Sequence, residues 1–192
     1  MTYLLAGLFL FLGVHSVRLF ADAWRTRVRD ASGANAWRAG YSLLSLLGFG
    51  LIVWGFGLVR QSPVQLWSPP AGMRHLAALL TLPAFVLLAA AYVPGNKIRA
   101  RIQHPMVAGV MLWAFAHLLA NGNVGHVLLF GTFLGWAALS YLAAKRRDRR
   151  DCRVYATGKA GATGITVSLG VATWMAFSLW LHGWLIGVRP LG

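Results

Sequence analysis

Long apolar blocks recur along this chain of 192 residues, and they constrain its fold more than any other feature of the sequence. A helix needs roughly 20 consecutive apolar residues to cross a bilayer. Only 11% of the residues are charged, against about 25% in soluble domains. The sequence therefore predicts an all-α polytopic membrane protein, a single domain over residues 1–192 that forms a bundle of about six transmembrane helices. The predicted spans are 3–20, 39–59, 74–93, 105–120, 124–143 and 163–187.

The distribution of basic residues indicates how such a bundle is oriented. Of the 18 lysines and arginines, 15 fall between the first and second, the third and fourth, and the fifth and sixth predicted helices. The opposite side holds only Arg60, Arg74 and Arg189. Because Lys and Arg accumulate in cytoplasmic loops, we expect both termini on the non-cytoplasmic side. The net charge of +14 is then expected to face the headgroups of the lipid bilayer, and no nucleic-acid partner is predicted.

The residue types inside the predicted spans exclude several kinds of chemistry. The only acidic residues are four aspartates, all in or beside the cytoplasmic loops, and there is no glutamate. Paired-carboxylate catalysis and carboxylate-rich metal sites are therefore excluded within the membrane. The three lysines also lie in loops, which excludes a buried Schiff base. The single cysteine, Cys152, is not part of a C-x-x-C-H motif, so any haem is held non-covalently.

Histidine remains as a candidate ligand, and the six histidines differ in predicted depth. His15 and His117 are the most deeply embedded, about 10–15 Å and about 20 Å from the cytoplasmic boundary at a rise of 1.5 Å per residue. Ionisable residues inside a membrane are functional candidates, and imidazoles from two helices can bind the two faces of a haem. The alternative is hydrogen bonding between helices. The others lie nearer the surfaces: His104 on the cytoplasmic side, and His75, His126 and His182 on the outer side.

The neighbours of the two deep histidines suit a haem pocket. Trp113 and Asn121 flank His117 at i−4 and i+4, so that one helix face offers an aromatic wall and a supporting amide. Arg18 lies one turn from His15 and is placed to meet a haem propionate. These residues predict a cofactor site with His15 and His117 as the metal ligands.

The two deep histidines also end a short internal similarity. Residues 7–15 are GLFLFLGVH and residues 109–117 are GVMLWAFAH. Each segment has leucine three, an aromatic residue four and histidine eight positions after its glycine. The helices that carry them begin opposite halves of a three-plus-three arrangement and run in opposite directions, as an inverted repeat requires. This is the pattern of an inverted repeat; a chance match between two apolar segments is the alternative.

The segment HPMVAGVMLWAFAHLLANGN (104–123), together with LFLGVHSVRLF (10–20), resembles the NnrU family of integral membrane proteins. The resemblance covers nearly the whole chain and implies a multi-pass protein of the bacterial inner (cytoplasmic) membrane. A relative of the family, the plastid 15-cis-zeta-carotene isomerase, is a haem b enzyme, and the resemblance implies that His15 and His117 are the haem ligands. That relative has a cysteine three residues before its second histidine, where this chain has Ala114, so no cysteine ligand is carried over.

The resemblance leaves more than one function open. A haem b protein of this kind could be a redox-type cis–trans isomerase of a hydrophobic polyene. Another function is that of an accessory protein for nitrite and nitric oxide reductases, since the family is named for genes that neighbour those of bacterial denitrification. A non-enzymatic assembly or regulatory factor is a further alternative. The sequence alone leaves open whether the protein is an enzyme.

A second resemblance concerns the cytoplasmic end of the fourth predicted helix. Residues 101–109, RIQHPMVAG, are similar to the R-H-P-x-Y-x-G element of isoprenylcysteine methyltransferases. In those enzymes the element helps to bind S-adenosylmethionine at the cytoplasmic surface, although here Val107 replaces its tyrosine. If the chain is not a methyltransferase, we expect His104 to anchor the start of its helix, or to lie near a propionate or a headgroup.

Overall fold

The structure is a computed structural model that describes residues 1–191. Helix makes up 80% of it, and no strand occurs among the described residues. A short π-helical segment, Phe177–Leu181, connects the last two α-helices. The α-helices are α1 (Thr2–Phe20), α2 (Asp22–Ser32), α3 (Ala34–Val59), α4 (Met73–Tyr92), α5 (Lys97–Ile102), α6 (Pro105–Ala120), α7 (Val124–Arg150), α8 (Ala160–Ala176) and α9 (His182–Ile186).

Five helical stretches are long and apolar enough to cross a membrane: α1, α3, α4, α7 and the continuous stretch Ala160–Ile186. Helix α6 is apolar but has only 16 residues, about 24 Å at 1.5 Å per residue, and it coincides with the shortest span that the sequence predicts. The all-helical membrane architecture is therefore confirmed. The count of six crossings and the orientation of the termini stay predictions.

The helix ends differ from the predicted boundaries where the sequence has few breaking residues. Helix α3 begins at Ala34, not at residue 39, because Gly33, with a φ of +84°, is the one residue that interrupts the chain after α2. Helix α7 continues past residue 143 to Arg150, since that basic extension contains neither proline nor glycine. Helices α2 and α5 occupy segments that the sequence predicts only as connections.

The chain separates into two compact units. The first unit comprises residues 1–66 and 123–132, and the second comprises residues 67–122 and the chain from 133 onwards. Helix α7 therefore contributes its first turns to one unit and the remainder to the other. The expectation of a single domain stays a prediction.

Glycines allow α1 and α3 to pack closely within the first unit. A Cβ atom at Gly7 would lie 2.6 Å from the backbone nitrogen of Ile52, and one at Gly48 would lie 2.7 Å from that of Phe11. Gly55 meets the backbone of Leu4 in the same way. Small residues of this kind let membrane helices approach until their backbones are in van der Waals contact.

The second unit is built on α4, which packs against both α6 and α8. A Cβ atom at Gly170 of α8 would lie 2.6 Å from the Cα atom of Val86, so this contact also depends on a missing side chain. The indole Nε1 of Trp174 donates to the hydroxyl oxygen of Thr81 over 3.1 Å, which joins α8 to α4 by a side-chain hydrogen bond. Such bonds stabilise helix pairs in lipid, where water does not compete for the donor.

Asn96 fixes the turn between α4 and α5. Its side chain is 1% exposed. The amide Nδ2 donates to the carbonyl oxygens of Ala90 and Val93, over 2.9 Å and 2.6 Å, and Oδ1 accepts from the backbone nitrogen of Arg99 over 2.7 Å. All three bonds satisfy backbone groups that the helix ends leave without an intrahelical partner.

Candidate ligand-binding site

His15 lies on α1 with its ring orientation fixed by the helix itself. Its Nδ1 atom is 2.7 Å from the carbonyl oxygen of Phe11, one turn earlier. Because a carbonyl oxygen only accepts, the proton of the neutral ring is on Nδ1 and the lone pair is on Nε2. The ring stacks on Phe11 with 4.2 Å between centroids and meets Tyr41 of α3 at 5.2 Å. This is the tautomer in which a histidine coordinates a metal through Nε2 while a backbone carbonyl holds the ring.

A cavity of about 320 Å³ lies beside His15 and is lined by residues of α1, α2 and α3. Each of these helices contributes one arginine to it: Arg18 from α1, Arg25 from α2 and Arg38 from α3. Arg25 is 3.5 Å from the carboxylate of Asp22. Among residues 1–191, no carboxylate lies within 4.0 Å of Arg18 or Arg38. The cavity therefore carries an excess of positive charge and suits an anion.

A second cavity of about 290 Å³ adjoins the first. Most of its remaining residues are apolar and come from α2 and α3, among them Val28 and Leu44. Trp24, at its edge, meets Trp37 edge to face with 6.2 Å between ring centroids. The α1–α2–α3 corner thus combines a cationic cavity with an apolar one. The residues that line both cavities are Val14, Val17, Trp37 and Tyr41.

His117 repeats the local geometry of His15 in the second unit. Its Nδ1 atom is 2.8 Å from the carbonyl oxygen of Trp113, four residues earlier on α6, so Nε2 again carries the lone pair. The ring centroids of His117 and Trp113 lie 5.1 Å apart, and Trp113 also meets Phe133 edge to face, with 5.8 Å between centroids. The aromatic wall predicted for Trp113 is therefore present beside His117.

Asn121 and His104 lie at opposite ends of α6, and each binds a partner through its side chain. The Asn121 amide donates to the backbone oxygen of His117 over 2.8 Å and ends α6, so it supports the helix and not the imidazole. His104 occupies the N-cap position of α6, but its side chain forms no capping hydrogen bond. Its Nε2 atom is instead 2.7 Å from the carboxylate of Asp148 on α7. His104 thus anchors the start of α6 through a neighbouring helix.

Asp148 is the centre of a polar cluster at the end of the second unit. The hydroxyl of Tyr155 donates to the same carboxylate oxygen that His104 contacts, over 2.7 Å. Burial raises the pKa of Tyr155 above its ordinary value, and the hydrogen bond to Asp148 and the charge of that carboxylate raise it further. Both carboxylate contacts hold the segment after α7 against the start of α6.

The residue before His104 has an uncommon backbone conformation. Gln103 has φ +69° and ψ −45°, and the backbone nitrogen of His104 donates to the carbonyl oxygen of Ile102 over 2.8 Å. This is the geometry of a γ-turn of the rare, strained kind. Two side chains from α7 hold the turn: Lys145 donates to the side-chain oxygen of Gln103, and Tyr141 donates to the carbonyl of Ile102 over 3.3 Å.

The remaining histidines have other surroundings. His126 contacts the side-chain oxygen of Asn123 at the start of α7, with Nδ1 2.5 Å from it, and packs edge to face against Phe56. His182 binds the carbonyl oxygen of Val188 over 2.6 Å. His75 is exposed near the start of α4. Within the described part of the chain, no three His, Cys, Asp or Glu side chains are grouped to hold a bare metal ion.

Several residues of the first cavity are not among the site residues that the sequence predicts. The sequence predicts Arg25 and Arg38 only as basic residues of a loop on the cytoplasmic side and Trp37 only as an aromatic residue near a membrane boundary. It predicts no role for Tyr41. Arg25 reaches the cavity because a single non-helical residue, Ala21, separates α1 from α2. No proline or glycine marks that turn in the sequence. Trp24 and Trp37, which lie near predicted membrane boundaries, are the signal that could have drawn attention to this region.

The protein is an all-helical, multi-pass membrane protein with histidines on apolar helices and a cationic cavity near one helix end. The family model described as NnrU protein matches residues 3–190. The chain therefore belongs to the NnrU family, which confirms the resemblance seen in the sequence. Neither the curated proteins nor the solved structures contain a match to it.

Proposed function

We propose that this NnrU family member binds haem b non-covalently and that His15 is an iron ligand. The observation that carries the proposal is the hydrogen bond from Nδ1 of His15 to the carbonyl of Phe11, which directs the lone pair to Nε2. The stacked Phe11 ring and the neighbouring arginines supply the other two features that a haem site needs, an apolar wall and partners for the propionates. The donor set therefore fits the group.

His117 is the second ligand in this proposal, as the family resemblance implies. Its support comes from its own unit, where the bond to the Trp113 carbonyl fixes the same tautomer. Asn121 holds the last turn of α6 by binding the backbone of His117 and so limits fraying at that position. Ala114 is fully buried and offers no sulfur ligand, so the proposal relies on histidine coordination alone.

We further propose that the bound haem serves cis–trans isomerisation of a polyene or electron transfer to a redox partner linked to denitrification, in a bacterial inner membrane. When bound, haem b would supply one-electron chemistry at its iron. The protein supplies imidazoles whose Nδ1 atoms are held by backbone carbonyls, aromatic neighbours, and cations at one edge. A substrate or redox partner of this kind would enter from the bilayer, because the flanking helix surfaces are apolar.

The absorption spectrum of the purified protein tests haem binding. Expressed with added haem, the wild-type protein should show a Soret band and, after reduction with dithionite, sharp α and β bands. His15→Ala and His117→Ala should each lose or shift these bands, while the matched control His75→Ala, at an exposed histidine, should not. A wild-type protein without a Soret band, or three variants with identical spectra, would rule out the proposal.

A further inference from the structure

The cationic cavity of the first unit has a binding chemistry that does not depend on iron. Its three arginines come from three successive helices and converge on one space of about 320 Å³. Asp22 offsets part of the charge of Arg25 at 3.5 Å, and the carboxylates described in residues 1–191 leave Arg18 and Arg38 without such an offset. Arg18 and Arg38 are exposed and Arg25 is partly buried, so solvent screens their mutual repulsion, and their shared positive charge attracts an anion to this space.

The position of the cavity narrows the class of anion. Arg18 lies in the last turn of the apolar helix α1, and Arg38 lies in the first turns of the apolar helix α3. Trp24 and Trp37, beside the two cavities, are of the type that prefers the headgroup region of a bilayer. A ligand that binds at this membrane boundary, with an acidic group beside the arginines and an apolar part in the adjoining cavity, is an amphiphile and not a free ion.

The adjoining cavity shows where the apolar part of such a molecule would lie. The cavity of about 290 Å³ shares four residues with the cationic one, and most of its lining is aliphatic or aromatic. We propose that Arg18, Arg25 and Arg38 form an oxyanion clamp, and that the clamp and the apolar cavity together bind one membrane-borne amphiphile with an acidic head. Guanidinium groups bind both carboxylates and phosphates through paired hydrogen bonds.

Two sources can supply this oxyanion, and the experiment has one arm for each. Native mass spectrometry of the detergent-purified protein compares haem b with its dimethyl ester, and phosphatidylglycerol with diacylglycerol, which lacks the phosphate. We expect the wild type to prefer the acidic member of one pair, haem b if the head is a carboxylate or phosphatidylglycerol if it is a phosphate. Arg18→Gln or Arg38→Gln should reduce that preference roughly tenfold, and Arg38→Lys should restore part of it.

The matched control is Arg27→Gln, which removes the same charge from an exposed position on α2 that lines neither cavity. The clamp is refuted if neither acidic ligand is preferred, or if Arg27→Gln lowers the preference as much as Arg38→Gln. Failure of haem binding through His15 is distinguishable from this result: it would abolish the Soret band, and the phosphatidylglycerol arm, which needs no haem, would still test the clamp.

Discussion

Replacing Gly48 by alanine should loosen the first unit and disturb His15 at the same time. The added Cβ atom would lie 2.7 Å from the Phe11 nitrogen and 3.0 Å from its Cα atom. Relief requires α1 and α3 to separate by about 0.7 Å or more at this point, since carbon–nitrogen contacts below about 3.4 Å are repulsive. Overpacking of this kind costs about 1–3 kcal/mol, which corresponds to roughly 2–12 °C in the unfolding temperature of a chain this long.

The effect on His15 follows from the same contact. Phe11 both receives the new Cβ atom and supplies the carbonyl that holds Nδ1 of His15. Gly48→Ala should therefore shift the haem spectrum if His15 is a ligand, in addition to lowering the temperature at which heated protein in dodecyl maltoside loses its monodisperse size-exclusion peak. Both readouts come from one preparation, so stability and ligation are compared directly.

Gly50→Ala is the matched control on the same helix. A Cβ atom at Gly50 meets nothing within 4 Å, and alanine is the better helix former by about 1 kcal/mol. Its unfolding temperature should be unchanged or higher, and its spectrum should equal that of the wild type. If Gly50→Ala destabilises the protein as much as Gly48→Ala does, the loss of glycine itself, and not the contact between α1 and α3, determines the stability.

Two further predictions concern the second unit. The pKa of Tyr155 is raised in the folded state, so its stabilising contribution is present below about pH 10 and is lost as the pH rises through the folded pKa. The difference in unfolding temperature between wild type and Tyr155→Phe should therefore shrink from about pH 9 to about pH 11. A constant difference over this range would contradict the prediction. Asn96→Ala should cost about 3 kcal/mol, since it removes three hydrogen bonds at a side chain that is 1% exposed and leaves backbone groups without partners. Urea unfolding measures that loss, and the exposed Asn35→Ala should leave stability unchanged.

Local sequence was enough to predict the helices and part of the site. The apolar blocks predicted the five helical stretches that can cross a membrane and the short helix α6. Hydropathy and length are the main determinants of which segments enter lipid, and both are read directly from the sequence. The sequence also selected His15, His117 and Trp113, whose contacts arise within single helices from the i−4 spacing. Features of this kind need no knowledge of tertiary packing.

Features that depend on chain reversal were not predictable in this way. Helix α2 follows α1 after one residue and brings Arg25 to the cavity that Arg18 lines, yet nothing in that segment signals the turn. The partnership of His104 with Asp148 spans 44 positions in sequence, and the γ-turn at Gln103 places a non-glycine residue at positive φ. Contacts at such separation are set by how helices pack, which composition does not determine.

The internal similarity between residues 7–15 and 109–117 has a structural counterpart that is more specific than the sequence match. His15 and His117 each bond the carbonyl of the aromatic residue four positions earlier, whereas His104, His126 and His182 have different partners. The electrostatic surroundings of the pair are not repeated: arginines line the cavity at His15, and aromatic rings surround Trp113 beside His117. A repeated hydrogen-bond geometry with unequal charge means that the two histidines are not interchangeable, since arginines that attract acidic groups line the cavity beside His15. Replacing Arg18 or Arg38 by glutamine should therefore change the binding of acidic groups beside His15 and leave the surroundings of His117 unchanged.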